Sequence, residues 1–403
     1  MAPRFLQIHW LTAYPSTLLN RDDAGFAKRI PFGGETRTRI SSQCLKRHWR
    51  VFDVDWSLNA IDASASIRSC LTFDRYILQV LVHQHQVAPD LARAVTEAMM
   101  DELGSKAAKK KTRKNDEEND DHETGLRTGQ ITVLGHPEVD YLLSLARDVC
   151  EANPDAKKAA VAVKKVLGRE GRKNLEAMRL GAGLGAALFG RMVTSDILAR
   201  CDAAIHVAHA FTVHAEESES DYFSAIDDLL RDGEHDELGS GHIGSSELTS
   251  GLFYGYVVVD VPLLVSNIEG CPRSDWQTAD RTLAATVVEH LIHLMATVSP
   301  GAKLGSTAPY AWAQFMMVES GDRQPRTLAN AFLTPVRERP DLLDNTLSAM
   351  AAHLDDLDAM YGNGFTRRVS VTNAHSAAVA SMADEAPMPI PELASWAADA
   401  VRG

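Results

Sequence analysis

Strand-type segments stand near both ends of this 403-residue chain, and a long helical stretch separates them. Residues 5–11 alternate between two faces, as a strand requires, and residues 251–260 and 314–320 are further apolar, strand-type runs. Residues 55–180 instead have mainly helical spacing. Strands separated by helices in this order predict an α+β fold, in which one sheet accepts two large insertions.

Two segments lack the periodicity of a helix or a strand. Residues 105–124 form a basic block followed by an acidic block with almost no apolar side chains, which predicts a solvated loop within the helical stretch. Residues 14–40 contain Pro15, Pro31 and Gly33, and this composition predicts a long, shaped loop.

The composition excludes several classes of protein. Hydrophobic residues make up 45% and charged residues 24% of the chain, a balance that can fill a core. It has no apolar run of the roughly 18 residues that a membrane span needs, and the first residues do not resemble a signal peptide. The five cysteines are scattered and never spaced as C-x-x-C, so we expect a cytoplasmic protein without a disulfide framework or a cysteine zinc site.

Positive charge is concentrated at the N-terminal end. Residues 1–50 carry nine lysines and arginines against three acidic residues, whereas the whole chain has a formal net charge of −13. A basic region on an acidic body can attract phosphate locally while the remainder stays soluble.

A basic helix is predicted directly after residue 40. Ser41 or Ser42 is a natural N-cap. Four residues then follow at the spacing of one buried helical face: Leu45, His48, Trp49 and Phe52. A second face carries the polar residues Gln43, Lys46, Arg47 and Arg50.

This helix has two interpretations. Its first N–H groups and its positive dipole end could bind a phosphate, and evenly spaced cations suit a phosphodiester backbone without reading its sequence. An ordinary solvated basic face has the same pattern.

Other motifs point less clearly to chemistry. The GAGLGA run at 181–186 follows a helical segment, whereas a dinucleotide fingerprint needs a strand there, so close packing is the better interpretation. Histidines cluster between 206 and 242, but no complete metal-ligand set has a known spacing, so no metal and no cofactor are expected.

Phe253, Tyr254 and Tyr256 could stack bases, although we expect at least two of them in the core. No nucleophile–base motif indicates an enzyme.

Four groups of motifs, in one order along the chain, resemble a known family. They are NRDD (20–23) with FGG (32–34) and RISSQCLKRHWR (39–50), then GRMVTS (190–195) with AIHVAHAFTVH (204–214) and DYFSAIDDL (221–229), then HIGSSELTSGLFYGY (242–256), and last PGAK (300–303) with LANAF (328–332). The chain resembles CasC, the Cas-seven-type backbone subunit of the type I-E CRISPR Cascade effector complex.

The resemblance implies a hand-shaped α+β subunit, with an RRM-like (ferredoxin-like) palm, a helical fingers insertion and a long β-hairpin thumb. The implied segments are the palm at 1–54 with the RNA-binding helix, the fingers at 55–180 with a loop at 105–124, the palm again at 181–205, the thumb at 206–254, and the palm with C-terminal helices at 255–403. Copies would polymerise along a CRISPR RNA and present it for pairing with target DNA. Implied partners are CRISPR RNA, the target DNA strand, other copies of the chain, and the small, large, Cas-five-type and Cas-six-type subunits.

The resemblance also implies roles for individual residues. Those lining the phosphate path would be Ser41, Gln43, Lys46 and Arg50, with Arg21 and Lys28 on the loop beside it. Met192 would wedge at a kink in the RNA. The thumb surface that meets the RNA and the neighbouring subunit would contain Tyr222, Phe223 and Ile243.

The thumb region differs in charge from the basic helix. Residues 216–237 carry ten acidic residues against one arginine, which favours protein–protein contacts there.

Two further functions stay open: a CRISPR RNA-processing endoribonuclease of the same superfamily, which would use a positioned histidine, and a metal hydrolase. His9 and His48 are the histidines nearest the basic segment.

Overall fold

The computed structural model describes residues 2–53, 55–63, 65–103, 126–176, 180–191, 201–226, 240–301 and 307–403. The chain divides into two compact units. The first unit contains residues 1–61, 206–261 and 282–403, and the second contains residues 62–205 and 262–281.

Eleven strands and eleven α-helices lie within the described ranges. The strands are β1 (Phe5–Thr17), β2 (Arg29–Phe32), β3 (Glu35–Ile40), β4 (Ser66–Ser69), β5 (Thr132–Gly135), β6 (Ile205–Val207), β7 (Ala210–Thr212), β8 (Glu217–Ile226), β9 (Ser240–Asp260), β10 (Phe315–Gly321) and β11 (Thr366–Val371). The helices are α1 (Ser42–Val51), α2 (Gln79–His83), α3 (Pro89–Glu102), α4 (His136–Ala152), α5 (Ala156–Val166), α6 (Arg169–Glu176), α7 (Leu184–Phe189), α8 (Val261–Glu269), α9 (Thr282–Thr297), α10 (Leu342–Tyr361) and α11 (Ile390–Arg402). None of these helices is long and apolar enough to cross a bilayer. The mixture of helices and antiparallel strands confirms the α+β class.

The sheet of the first unit has the strand order β11-β10-β1-β9-β7-β3-β2, and β6 and β8 also pair with β9. Strand β1 is antiparallel to both of its neighbours, with Ile8 opposite Val318 on β10 and Val257 on β9. Because β1 is central, residues on both of its faces are buried, including the polar Gln7 and His9.

Each face of this sheet is covered by helices. Trp10 of β1 meets Trp49 of α1 edge-on, with 6.0 Å between ring centroids; α1 contacts α9, which packs against α11. Leu11, the next residue of β1, points the other way because side chains alternate along a strand. It joins a core with Tyr254 and Met350 of α10.

The predicted loop at 14–40 is wrong in part, since β1 continues to Thr17 and the segment also contains the β2–β3 hairpin. Phe32 pairs with Glu35, which leaves Gly33 and Gly34 as a two-residue turn with φ of +65° and +84°. Positive φ at both positions is the signature of a hairpin turn that glycine favours. Pro31 is tolerated because β2 is the edge strand of the sheet.

A buried ionic network lies on β1, β10 and β11. Glu319 is fully buried and accepts hydrogen bonds from His9 Nε2 at 3.2 Å, from Arg367 Nε at 2.8 Å and from Arg326. Arg367 also binds Asp358 of α10. Burial by itself would raise the pKa of Glu319, but hydrogen bonds from His9 and Arg326 and the charge of Arg326 hold that pKa far below its ordinary range. The pairing offsets the cost of burying these charges.

The second unit has its own hydrophobic core, built from helices α3, α4 and α5 and the turn before α2. It contains the two-stranded sheet β4–β5 as well, so the predicted helical region is not wholly helical. Arg191 and Glu138 form a buried ion pair in this unit, with 2.6 Å between Nη1 and Oε2. The charged segment at 105–124 lies outside the described residues.

Candidate nucleic-acid interface

Two separate segments hold the start of α1. Ser41 is the N-cap, as the sequence indicated, and its Oγ accepts a hydrogen bond from the Cys44 N–H at 3.3 Å. The Ser41 N–H donates to Asn20 Oδ1 at 2.8 Å. The Ser42 N–H donates to His209 Nδ1 at 2.9 Å. The helix is therefore fixed to the loop that follows β1 and to the turn that precedes β7.

These contacts change how α1 could bind an anion. The Ser42 and Cys44 N–H groups already donate to His209 and Ser41, so at most the Gln43 N–H is left among the first three groups of the helix. The helix start therefore offers a phosphate fewer N–H groups than the sequence predicted. Side-chain cations must supply most of the attraction.

The buried face of α1 is narrower than the sequence predicted. Leu45 and Trp49 are buried, at 4% and 1% exposure. Phe52 is 37% exposed, so its predicted burial is wrong. The helix ends at Val51, and Phe52 has φ of −73° and ψ of 133°. This extended backbone takes the side chain off the helical face.

Both ring nitrogens of His48 form hydrogen bonds with backbone groups. Its Nδ1 donates to the Cys44 carbonyl oxygen at 2.8 Å, and its Nε2 accepts from the Gly301 N–H at 3.2 Å. Both nitrogens are therefore used in the neutral ring. The second of these bonds ties α1 to the segment that follows α9, in the PGAK motif.

The opposite face of α1 carries the cations. Gln43 and Arg47 are exposed, whereas Lys46 and Arg50 are half-buried. Burial lowers the pKa of Lys46, because the charged form loses hydration. A phosphate beside it would raise that pKa again. The long side chains can pack along the protein while their charged ends reach the ligand.

The NRDD motif forms a tight turn. Asp22 Oδ1 accepts hydrogen bonds from the N–H groups of Ala24 at 3.0 Å and Phe26 at 2.9 Å. The Lys28 N–H donates to the Asn20 carbonyl oxygen at 2.9 Å. Asn20 and Asp22 therefore shape the loop, and Asn20 also anchors the start of α1.

Arg21 and Lys28 lie at the two ends of this turn, Arg21 exposed and Lys28 half-buried. Lys28 lies close enough to the start of α1 for its charge to act on Cys44 and His209. Burial raises the pKa of Cys44 to about 11, and the charges of Lys28 and Arg47 oppose that change. Burial also lowers the pKa of His209, and nearby cations including Lys28 lower it further.

Sequence reasoning missed Arg39 and His209. The Arg39 charge also lowers the pKa of His209, and Arg39 Nε donates to the Arg29 carbonyl oxygen at 3.0 Å. Arg37, two residues earlier, is fully buried and donates to the Thr212 carbonyl oxygen at 3.1 Å. Both arginines lie at or just before the RISSQ motif, and the local sequence does not indicate which of the two reaches the surface.

Acidic residues at the base of the β8–β9 hairpin are paired. Arg29 Nε lies 2.5 Å from Glu216 Oε1, and its Nη2 binds Glu247. Glu247 also accepts a hydrogen bond from the Ala27 N–H at 2.6 Å. These bonds join the β2–β3 hairpin to β8 and β9, and the charge of Arg29 offsets one of the two negative charges near the cationic loop.

The remaining expected site residues lie on the β8–β9 hairpin or outside the described chain. Tyr222 is 67% exposed on β8, opposite Ser245 of β9. Phe223 and Ile243 lie on the same two strands, but their side chains are outside the described part. Met192 falls in the segment 192–200, which is also outside it.

Within the described ranges, one group of three side chains could hold a metal ion: Asp341, Asp344 and His375. Asp341 Oδ1 caps α10 by accepting the Asp344 N–H at 3.0 Å. His375 Nδ1 lies 2.5 Å from Asp344 Oδ1. The three side chains are thus joined by a helix cap and by the contact between His375 and Asp344.

Comparison with solved structures finds the same fold in subunits of ribonucleoprotein assemblies. A chain of a structure described as a "CRISPR RNA-guided surveillance complex, pre-nicking" superposes with a TM-score of 0.75 at 24% identity, covering 98% of this chain and 100% of the other. A chain of another "CRISPR RNA-guided surveillance complex" gives a TM-score of 0.65 at 22% identity, covering 98% and 99%. At these identities the likeness shows the fold.

No curated protein matches the sequence significantly. The model of one protein family, described as "CT1975-like protein", matches residues 6–396. That range includes the sheet of the first unit, helix α1 with its surrounding cations, and the second unit. The chain therefore belongs to the CT1975-like protein family.

Proposed function

We propose that the chain is a CRISPR RNA-binding backbone subunit of a type I-E surveillance complex, which polymerises along the guide RNA in the cytoplasm and presents it for pairing with target DNA. Its family and the fold it shares with surveillance-complex subunits support this proposal. The partners would be CRISPR RNA, the target DNA strand, further copies of the chain, and the other Cascade subunits.

The observation that carries the proposal is the cationic side of α1. Leu45 and Trp49 anchor the helix in the core, and the opposite side carries the exposed Arg47 and the half-buried Lys46 and Arg50. The loop and strand beside its start add further cations: Arg21, Lys28 and Arg39. Such an array suits a chain of phosphates and carries no base specificity. A subunit that holds many different guides needs this kind of contact.

The strand order supports an RRM-like palm. Following the chain, β1 leads to α1, then β7 and β9, then α9 and β10. These strands are arranged as β10-β1-β9-β7, each antiparallel to the next. A βαββαβ unit with its fourth strand beside the first and its third on the other side has this arrangement.

The β8–β9 hairpin would be the thumb, and the second unit would supply the fingers. Tyr222 would contact the RNA and the neighbouring copy, and its exposure on the hairpin supports this role. Roles for Phe223, Ile243 and the wedge residue Met192 remain predictions from the family resemblance. At the base of the proposed thumb, Arg29 pairs with Glu216 and Glu247 and offsets one of their two negative charges, which reduces the repulsion that a nearby phosphate chain would meet.

We further propose that the subunit is a scaffold and not a ribonuclease. A general acid–base needs a titrating nitrogen that reaches the substrate. His9 is buried between Tyr254 and Glu319, and both nitrogens of His48 bind backbone groups. His209 is exposed among cations, so it is the histidine on which a nuclease test should be directed.

The test is to purify the chain with CRISPR RNA, measure the size of the particle, and incubate it with labelled RNA. We expect RNA of intact length in a large multimer. If the chain cleaves RNA and a His209→Ala variant does not, the protein is a nuclease and the proposed scaffold role is wrong. A monomer that binds no RNA at low salt would contradict the proposed function altogether.

A further inference from the structure

Two large aromatic side chains project from one short segment of the first unit. Tyr310 is 76% exposed and Trp312 is 74% exposed. Ala311, which lies between them, and Ala313, which follows Trp312, are half-buried. This alternation places both rings on the same side of the segment, as in an extended chain. Exposing so much aromatic surface is unfavourable unless a partner covers it.

The backbone beneath the two rings is held in place. Ser299 Oγ accepts from the Ala311 N–H and donates to the Ala311 carbonyl oxygen, both at 2.9 Å. The Ala313 N–H donates to the Ala296 carbonyl oxygen at 2.8 Å, and the Gln314 N–H to that of Leu11 at 2.9 Å. The rings are therefore presented by an ordered support, which lowers the entropic cost of binding.

This segment adjoins the cationic helix. Gly301, two residues after Ser299, donates its N–H to His48 of α1 at 3.2 Å. The sequence from 290 to 318 contains no acidic residue, so no carboxylate of this segment would repel a phosphate chain. The segment that carries the aromatic pair is therefore tied to the helix that carries the cations.

We propose that Tyr310 and Trp312 stack on bases of the single-stranded RNA whose phosphates follow α1, an inference that rests on the proposed function. Aromatic rings stack on any base, because every base has a π-face. Side chains two residues apart in an extended segment are roughly 6.6 Å apart. This spacing lets the two rings take opposite faces of one base or the faces of successive bases.

The test compares two oligomers of equal length, single-stranded RNA and its abasic counterpart, binding to the full chain. The variant is Tyr310→Ala/Trp312→Ala. We expect its affinity for RNA to fall roughly tenfold or more, with unchanged affinity for the abasic oligomer and an unchanged salt slope. The matched control is Met360→Ala/Tyr361→Ala, since these residues are 74% and 64% exposed at the end of α10, on the other face of the sheet.

Each other outcome overturns the inference. Unchanged RNA affinity in the variant would do so while leaving the proposed function intact. An equal loss for both oligomers would mean that the rings do not contact bases. Normal RNA affinity with failed multimer formation would assign this surface to a neighbouring copy. If the wild-type chain binds neither oligomer, the proposed function fails and this inference fails with it.

Discussion

The backbone N–H of Ser42 donates a hydrogen bond to Nδ1 of His209 across 2.9 Å, so the first residue of α1 is fixed to the turn before β7. An imidazole nitrogen can accept this bond only while it carries no proton. Burial and the charges of Arg39 and Lys28 lower the pKa of His209, which favours the accepting form at neutral pH. The cations around α1 therefore help to keep the helix start in place.

This contact predicts a loss of order at the start of α1 when His209 is removed. His209→Ala should lower the free energy of unfolding by about 1 kcal/mol, the usual worth of one hydrogen bond, and weaken RNA binding through the displaced helix. Denaturant unfolding and RNA titration measure the two effects. His206→Ala, at another exposed histidine, is the control and should change neither. Equal effects in both variants would contradict a specific role for His209.

The cations of α1 predict a change in salt dependence. Lys46→Ala/Arg50→Ala should leave the chain folded, with the free energy of unfolding changed by less than about 1 kcal/mol, because partly exposed charges contribute little to stability. The slope of log affinity for RNA against log salt should decrease by about 0.7 for each phosphate contact removed. Lys46→Arg/Arg50→Lys preserves both charges and should retain the slope. A double alanine variant with the wild-type slope would show that this face is merely solvated.

The FGG motif predicts unequal costs at two adjacent glycines. A Cβ on Gly33 would lie 1.7 Å from the Leu333 carbonyl oxygen, whereas a Cβ on Gly34 would meet no atom within 4 Å. Both residues have positive φ, so each alanine should cost about 1–2 kcal/mol from backbone strain. Gly33→Ala should cost at least about 2 kcal/mol more, because the backbone at Leu333 must shift. Equal unfolding midpoints for the two variants would contradict this contact.

The buried network predicts a dependence of stability on pH. Burial lowers the pKa of His9 below its ordinary 6.5, although Glu319 acts in the opposite direction. The unfolded chain therefore binds a proton at a pH where folded His9 stays neutral, so the free energy of unfolding should fall as the pH drops below about 6.5. His9→Gln removes this titration and should reduce the slope of stability between pH 7.5 and 5.5. An unchanged slope would show that His9 binds protons equally in the folded and unfolded chain.

Much of α1 follows from the local sequence. Ser41 caps the helix, and Leu45 and Trp49 form its buried face, because capping and helical spacing operate over a few neighbouring residues. The α+β class also follows from the local alternation of strand-type and helical segments. Around the FGG glycines the sequence predicted only a long loop, and the strands on either side of them were missed.

Tertiary contacts decided the rest of the surface around α1. Phe52 left the buried face because the chain becomes extended at that residue, and Arg37 is buried while Arg39 is not. His209 and Gly301 meet α1 from segments far along the chain. Arg29 pairs with two acidic residues of a distant hairpin, and no local pattern indicates this pairing. Local periodicity records which side of an element is apolar, whereas partners for polar groups are set by which distant backbones the fold brings within hydrogen-bonding distance.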